Sequence, residues 1–94
     1  MNPDFSTVHN HYERPVFEAV SAAAARYPGV PAQMLPDVAC VALNRVGVRY
    51  IRHPVDLCFY LTEKERAQMD HAIEDAVSFA FEFVQARRAL QGRA

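Results

Sequence analysis

Cysteine, glycine and lysine are all scarce in this chain of 94 residues: two cysteines, three glycines, and Lys64 as the only lysine among ten basic residues. Cys40 falls inside an expected helix and Cys58 inside an apolar run, Leu57-Cys58-Phe59-Tyr60. Both read as small buried hydrophobes in a reducing compartment. Neither that pair nor His9 with His11 has structural-zinc spacing, so no metal is expected. With so little glycine there is no glycine-rich phosphate loop. There is also no nucleophile motif and no acid pair placed to shift its pKa, since Glu74 and Asp75 read as a solvated face. No catalytic residues are expected, and the chain does not read as an enzyme. A net charge of −1 gives no polyelectrolyte signature, so non-specific nucleic-acid binding is not favoured. No apolar run approaches bilayer length, and Met1 to Val8 lacks the apolar stretch of a signal peptide. The expectation is a soluble cytoplasmic protein without a membrane partner.

What is present is one small domain. Residues 1–8 read as a short flexible lead, 9–91 as a single domain and 92–94 as a flexible tail. His9 to Arg26 reads as a first helix, with Asn10 as its cap, Glu13 completing a capping box and Pro15 held within the first turn. Val16, Phe17, Val20 and Ala24 form its apolar stripe, which Tyr27 extends. Pro28, Gly29, Pro31 and Pro36 then mark a proline-rich loop. Pro36 suits the first turn of a second helix, and Asp37 places an acid near its positive end. Val48 to Ile51 and Leu57 to Leu61 read as short extended pieces that pair with each other. Thr62-Glu63-Lys64-Glu65 is a capping box opening a helix that runs to about Leu90.

That last helix is amphipathic through Met69, Ile73 and Val77. Beyond Val77 the residues Phe79, Ala80, Phe81, Phe83 and Val84 are apolar on more than one face. A helix hydrophobic nearly all round must be covered nearly all round, and so short a chain has little with which to do it. A homodimer is the expected cover. The fold expected is therefore mostly α: a small helical domain with a long C-terminal helix, a short extended segment and a homodimeric seam.

The stretch from Asp37 to Tyr50 is the most informative. Val38, Val41, Ala42 and Leu43 recur at near-helical spacing and face a core. Gly47, which tolerates positive φ, stops the helix. Around that stop lie Asn44, Arg45, Arg49, Tyr50 and Arg52, with His53 and Pro54 following as loop residues. Codon bias in a GC-rich genome is the plainer account of the arginine abundance; the functional reading is that arginine offers a planar, bidentate donor for phosphate or guanine.

Asn10-His11-Tyr12-Glu13, followed by Asp37-Val38-Ala39-Cys40-Val41-Ala42-Leu43-Asn44-Arg45-Val46 and then Arg49-Tyr50, resembles the late competence development protein family, ComFB. That family opens on N-x-Y-E and continues with D-V-x-A-x-A-L-N-x-L-P-P-x-Y. The resemblance spans roughly residues 9 to 88, and its motif positions fall here on Asn10, Tyr12, Glu13, Asp37, Ala42, Leu43, Asn44 and Tyr50. It implies a small α-helical dimer, and it implies a receptor for cyclic dinucleotides, chiefly cyclic di-GMP. Two departures stand out. The family's Pro-Pro is Gly47-Val48 here, which loosens the turn. The clustered cysteines that hold zinc in one type of member are absent, so zinc is not carried over.

With that resemblance, the candidate ligand residues are Arg45, Arg49, Tyr50, Arg52, Asn44, Asp37, Tyr12 and Glu13. The arginines suit phosphates and guanines, or form a solvated basic turn at a helix end. Asp37 and Glu13 suit the guanine donor edge, or serve the helix dipole and the capping box. Tyr12 and Tyr50 stack on a base or pack at the rim of the core. Asn44 reads as fastening the following turn. The leading expectation is a cytoplasmic cyclic di-GMP receptor acting as a homodimer on a downstream protein. The alternatives are a ligand-free protein–protein interaction module and a receptor for another nucleotide such as cyclic AMP.

Overall fold

The computed structural model describes residues 3–52 and 61–91. In chain order these form strand β1 (His9–Asn10), helix α1 (Glu13–Ala23), helix α2 (Leu35–Val46), strand β2 (Tyr50–Ile51) and helix α3 (Glu63–Gln91), with 3-10 turns at Ala24–Arg26 and Ala32–Met34. The architecture is mostly α, with a long C-terminal helix as expected. The piece expected over Leu57–Leu61 lies outside the described residues except for Leu61, as do His53, Pro54, Cys58, residues 1–2 of the lead and the tail 92–94.

The first helix is shorter than its apolar pattern suggests. Glu13 starts it, and Pro15 falls in the first turn, where no intrahelical N–H is needed. Asn10 is not its cap. Tyr12 occupies that position with no side-chain capping bond, and Asn10 lies in β1. Val16, Val20 and Ala23 recur at i, i+4 and i+7 and are buried. Phe17, expected in the same stripe, is about 100° round from Val16 and is exposed.

Local chemistry sets the ends of α2. Pro36 sits in the first turn beside Asp37. At the far end Gly47 adopts φ 89°, and its N–H donates to the Leu43 carbonyl at 3.3 Å. Val38, Ala39 and Ala42 are buried. Cys40, expected in the core, is exposed: two positions from both Val38 and Ala42, it is turned about 200° from each on a helix.

Thr62 caps α3 as its sequence indicates, its Oγ1 accepting from the Glu65 N–H at 3.1 Å. At about 1.5 Å per residue the helix is about 43 Å long. Its inner stripe, Ile73, Ala76, Val77, Ala80, Phe81 and Val84, is buried against α1 and α2. Phe81 is fully enclosed, and Tyr27 stacks on it with ring centroids 4.4 Å apart and planes 4° from parallel. The loop between α1 and α2 is pinned from α3, where the Arg88 Nη1 donates to the Gly29 carbonyl at 2.7 Å.

The molecule is only 18 Å thick along its shortest axis. With helices about 10–12 Å across, that is two layers, so α3 has a second face that the described residues leave partly open. Phe79 and Phe83 lie there, 37% and 42% exposed, with ring centroids 6.0 Å apart.

The extended segment after Gly47 does form a strand, but its partner is not the downstream piece. β2 pairs antiparallel with β1, His9 opposite Ile51 and Asn10 opposite Tyr50. A residue range read as the start of a helix thus supplies the other half of a short ribbon.

Candidate functional site: the ribbon and the end of helix α2

Asn10 is, among the described residues, the one buried polar side chain, 8% exposed. A buried amide is costly unless it is hydrogen-bonded. Its Oδ1 accepts from the Tyr12 N–H at 3.3 Å and from the Arg49 N–H at 2.9 Å. The first contact fixes the entry to α1; the second reaches across 39 positions to the segment leaving α2. The His11 N–H completes the junction by donating to the Arg49 carbonyl at 2.7 Å. The two sequence motifs therefore meet, and the meeting point is the backbone of Arg49.

Gly47 sets the path into that junction. An added Cβ there would touch nothing within 4 Å, so the glycine serves the positive φ rather than a close approach. Proline fixes φ near −65°. A Pro-Pro pair at Gly47-Val48 could not follow this path, so the turn here is built differently from the one the family motif spells.

The predicted site residues divide into two groups. Arg49, Tyr50 and Arg52 are exposed along the ribbon, Tyr50 by 67%, with Glu13 exposed at the start of α1 nearby. Tyr12 is half-buried and packs against the core, its ring 6.0 Å from that of His11. Glu13 lines a cleft of ≈ 500 Å³ with His9, His11, Arg14, Phe17 and Glu18. This group combines arginines, an exposed aromatic ring and a carboxylate, which is the chemistry that phosphates and a guanine edge require.

Asp37, Asn44 and Arg45 belong elsewhere. They share one face of α2 by their i, i+7 and i+8 spacing. Arg45 lies over the Phe79 ring, its Cζ 3.8 Å from the centroid, a cation–π contact that no local pattern announces. Asn44 does not fasten the following turn; its Nδ2 donates back to the Cys40 carbonyl at 3.0 Å. Asp37 stands about 12 Å along the helix from Arg45. It lines a groove of ≈ 410 Å³ between α2 and α3 with Cys40, Val41, Phe83, Arg87 and Arg88. The structure does not bring Asp37 to the ribbon arginines.

Sequence reasoning missed His11 as a neighbour of Arg49. The available signal was the alternation of His9 and His11 around Asn10, which is strand spacing. The His11 imidazole is held below its ordinary value of 6.5, first by burial, then by the Arg49 guanidinium and by His9. Among the described residues no group of three His, Cys, Asp or Glu is placed to hold a metal ion, and no helix is long and apolar enough to cross a membrane.

A small three-helix scaffold with its two sequence motifs joined through one asparagine defines the class: an α protein that displays a basic, aromatic ribbon at one end. The family model described as late competence development protein ComFB matches residues 9–88, and the chain belongs to that family. No curated protein and no solved structure matches it.

Proposed function

We propose that this chain is a non-enzymatic, cytoplasmic receptor for a cyclic dinucleotide, cyclic di-GMP, working as a homodimer in the regulation of a competence-related process through a downstream protein. The observation that carries the reading is the Asn10 clamp. It holds the Arg49 backbone in place, so that the arginine is offered from a hydrogen-bonded position, with Tyr50 in the strand that follows and Arg52 just beyond it. Pre-organised donors lose less freedom on binding. Arg49 and Arg52 pair with phosphate, Tyr50 stacks on a base, and Glu13 accepts from the guanine N1–H and N2–H₂.

The homodimer is supported by the face of α2 and α3 on which, among the described residues, Phe79 and Phe83 stay partly exposed. Asp37 and Arg45 lie four residues either side of Val41, with Cys40 and Asn44 between. Two copies of α2 crossing antiparallel about Val41 set each Asp37 beside Arg45 of the second copy, and cover Phe79 and Phe83. A two-fold dimer suits a two-fold ligand, which then meets each ribbon arginine twice.

Calorimetric titration with cyclic di-GMP, with cyclic AMP and GTP as controls, tests the reading. Saturable binding selective for cyclic di-GMP is expected, and Arg49→Ala abolishes or sharply weakens it with little change in melting temperature. Light scattering gives the oligomeric state. The exposed Phe79–Phe83 pair also favours a second reading, a ligand-free interaction module. A strict monomer that binds none of the three nucleotides establishes that reading instead.

A further inference from the structure

Two histidines flank the buried Asn10, and the receptor reading does not use them. His9 lies in β1 and His11 in the turn that follows it, and both line one cleft at the start of α1. The backbone pairing carries that cleft to the ribbon's second strand. His9 opposes Ile51, Asn10 opposes Tyr50, and the bond from the His11 N–H to the Arg49 carbonyl sets His11 against Arg49. Residues directly opposed in this way stand about 4.5–5.5 Å apart at Cβ. An imidazole and a guanidinium are thus neighbours, with a second imidazole one pair further along.

The other charged groups around them come from α1. Glu13, Arg14 and Glu18 line the cleft with both histidines, and Arg14 and Glu18 pair with each other at 3.6 Å. Among the described residues no carboxylate forms an ion pair with Arg49, His9 or His11. His9 Nδ1 lies 3.1 Å from the Thr7 carbonyl oxygen, which leaves Nε2 as its remaining polar atom. Like charges directly opposed on a strand pair repel. Ribbon and turn therefore bring cationic and protonatable groups together with no ion-paired carboxylate among the described residues.

We infer that His9, His11 and Arg49 form a single subsite for a phosphate group, which takes one phosphate of the cyclic dinucleotide. This rests on the receptor reading above. In the free protein, burial and its two basic neighbours keep His11 neutral at pH 7. A bound phosphate answers that positive surrounding and stabilises the imidazolium, so binding takes up a proton. Affinity then rises as pH falls through the imidazole range, by at most about tenfold per pH unit for each proton taken up.

The test is calorimetric titration of the full chain with cyclic di-GMP at about pH 6 and about pH 8, in buffers of different ionisation enthalpy. Binding about three- to tenfold tighter at the lower pH is expected, with a heat that depends on the buffer. His11→Gln weakens binding most at about pH 6, and so shrinks both the pH difference and the buffer-dependent heat. Should that variant not fold, the His11 imidazole signals of the unaltered protein are followed by NMR, and their midpoint moves up on adding cyclic di-GMP. Equal affinity at both pH values, or a midpoint that ligand leaves in place, overturns the subsite and leaves the receptor reading standing. Absence of binding at either pH overturns both.

Discussion

Where α1, α2 and α3 meet, the contact is made by apolar side chains, with Phe81 at its centre. The ribbon is joined to that body by something quite different: two backbone N–H groups converging on one buried amide oxygen. Apolar contact is non-directional and roughly proportional to area. It holds three helices together without specifying where a side chain at the edge will point. A hydrogen-bonded amide is directional, and it places Arg49 at one position in the molecule. Stability and presentation are therefore assigned to separate parts of the structure, and substitutions should separate them.

The largest effect belongs to the core. Phe81→Ala removes a fully enclosed ring together with its stack on Tyr27, and should cost about 3–5 kcal/mol in urea denaturation. That is a large share of the stability of any small domain, typically about 5–15 kcal/mol. A loss below about 1 kcal/mol would mean that the helices are not held where the structure places their centre. Next comes Asn10→Ala, which strips the acceptor from the Tyr12 and Arg49 amides. About 1–3 kcal/mol is expected. The sharper readout is local: hydrogen exchange at the Arg49 amide should accelerate more than exchange in α3. Uniform acceleration across both would show that ribbon and core unfold together, and would dissolve the distinction between them.

Gly47→Ala probes the path between the two regions. The site has room for a methyl group but not the backbone freedom, so the cost is that of a non-glycine residue in an essentially glycine-only conformation, about 1–3 kcal/mol. Gly47→Pro should cost more, because its ring forbids φ 89° altogether. If Gly47→Pro instead proved stabilising, the segment would follow the route of the family's Pro-Pro pair, and the ribbon geometry would have to be redrawn.

The same division explains what was legible beforehand. Pro36 at the start of α2, Gly47 at its end and Thr62 before α3 act through their immediate neighbours, and each was readable from a few residues. The aromatic face of α3 was readable too, since apolar residues at positions 79 and 83 lie well round the helix from 77, 81 and 84. The ribbon was not. Its strands are two residues each, too short for an alternation signal, and they come from opposite ends of the first half of the chain. Asn10 was misread for a related reason. Its side chain does accept from Tyr12, two residues on, which is local capping chemistry, but the contact that decides its role is with Arg49, and no local pattern contains it. Of the candidate site, Arg49, Tyr50 and Arg52 stand together because they are nearly consecutive. Asp37 does not join them, because the motif that linked it to them is a linear one and α2 keeps its two ends apart.

The smallest effect tests the ribbon alone. Between folded and unfolded chains His11 differs in one respect: burial, Arg49 and His9 depress its pKa below the ordinary 6.5 in the folded state. Above that value it is neutral in both states and contributes no pH dependence. As pH falls below it, the unfolded chain takes up a proton that the folded protein resists, so stability declines through this window and levels off below the folded pKa. The melting temperature of the ligand-free protein should therefore fall slightly more between neutral and mildly acid pH than that of His11→Gln, and the difference between the two curves isolates this one group. Cyclic dinucleotide, if its phosphate occupies the ribbon, should reverse the sign, because the bound state then holds the proton more tightly than the unfolded one. Identical pH profiles for the two proteins would show that neither burial nor Arg49 acts on His11 in solution, and with that the placement of His11 beside Arg49 would fail.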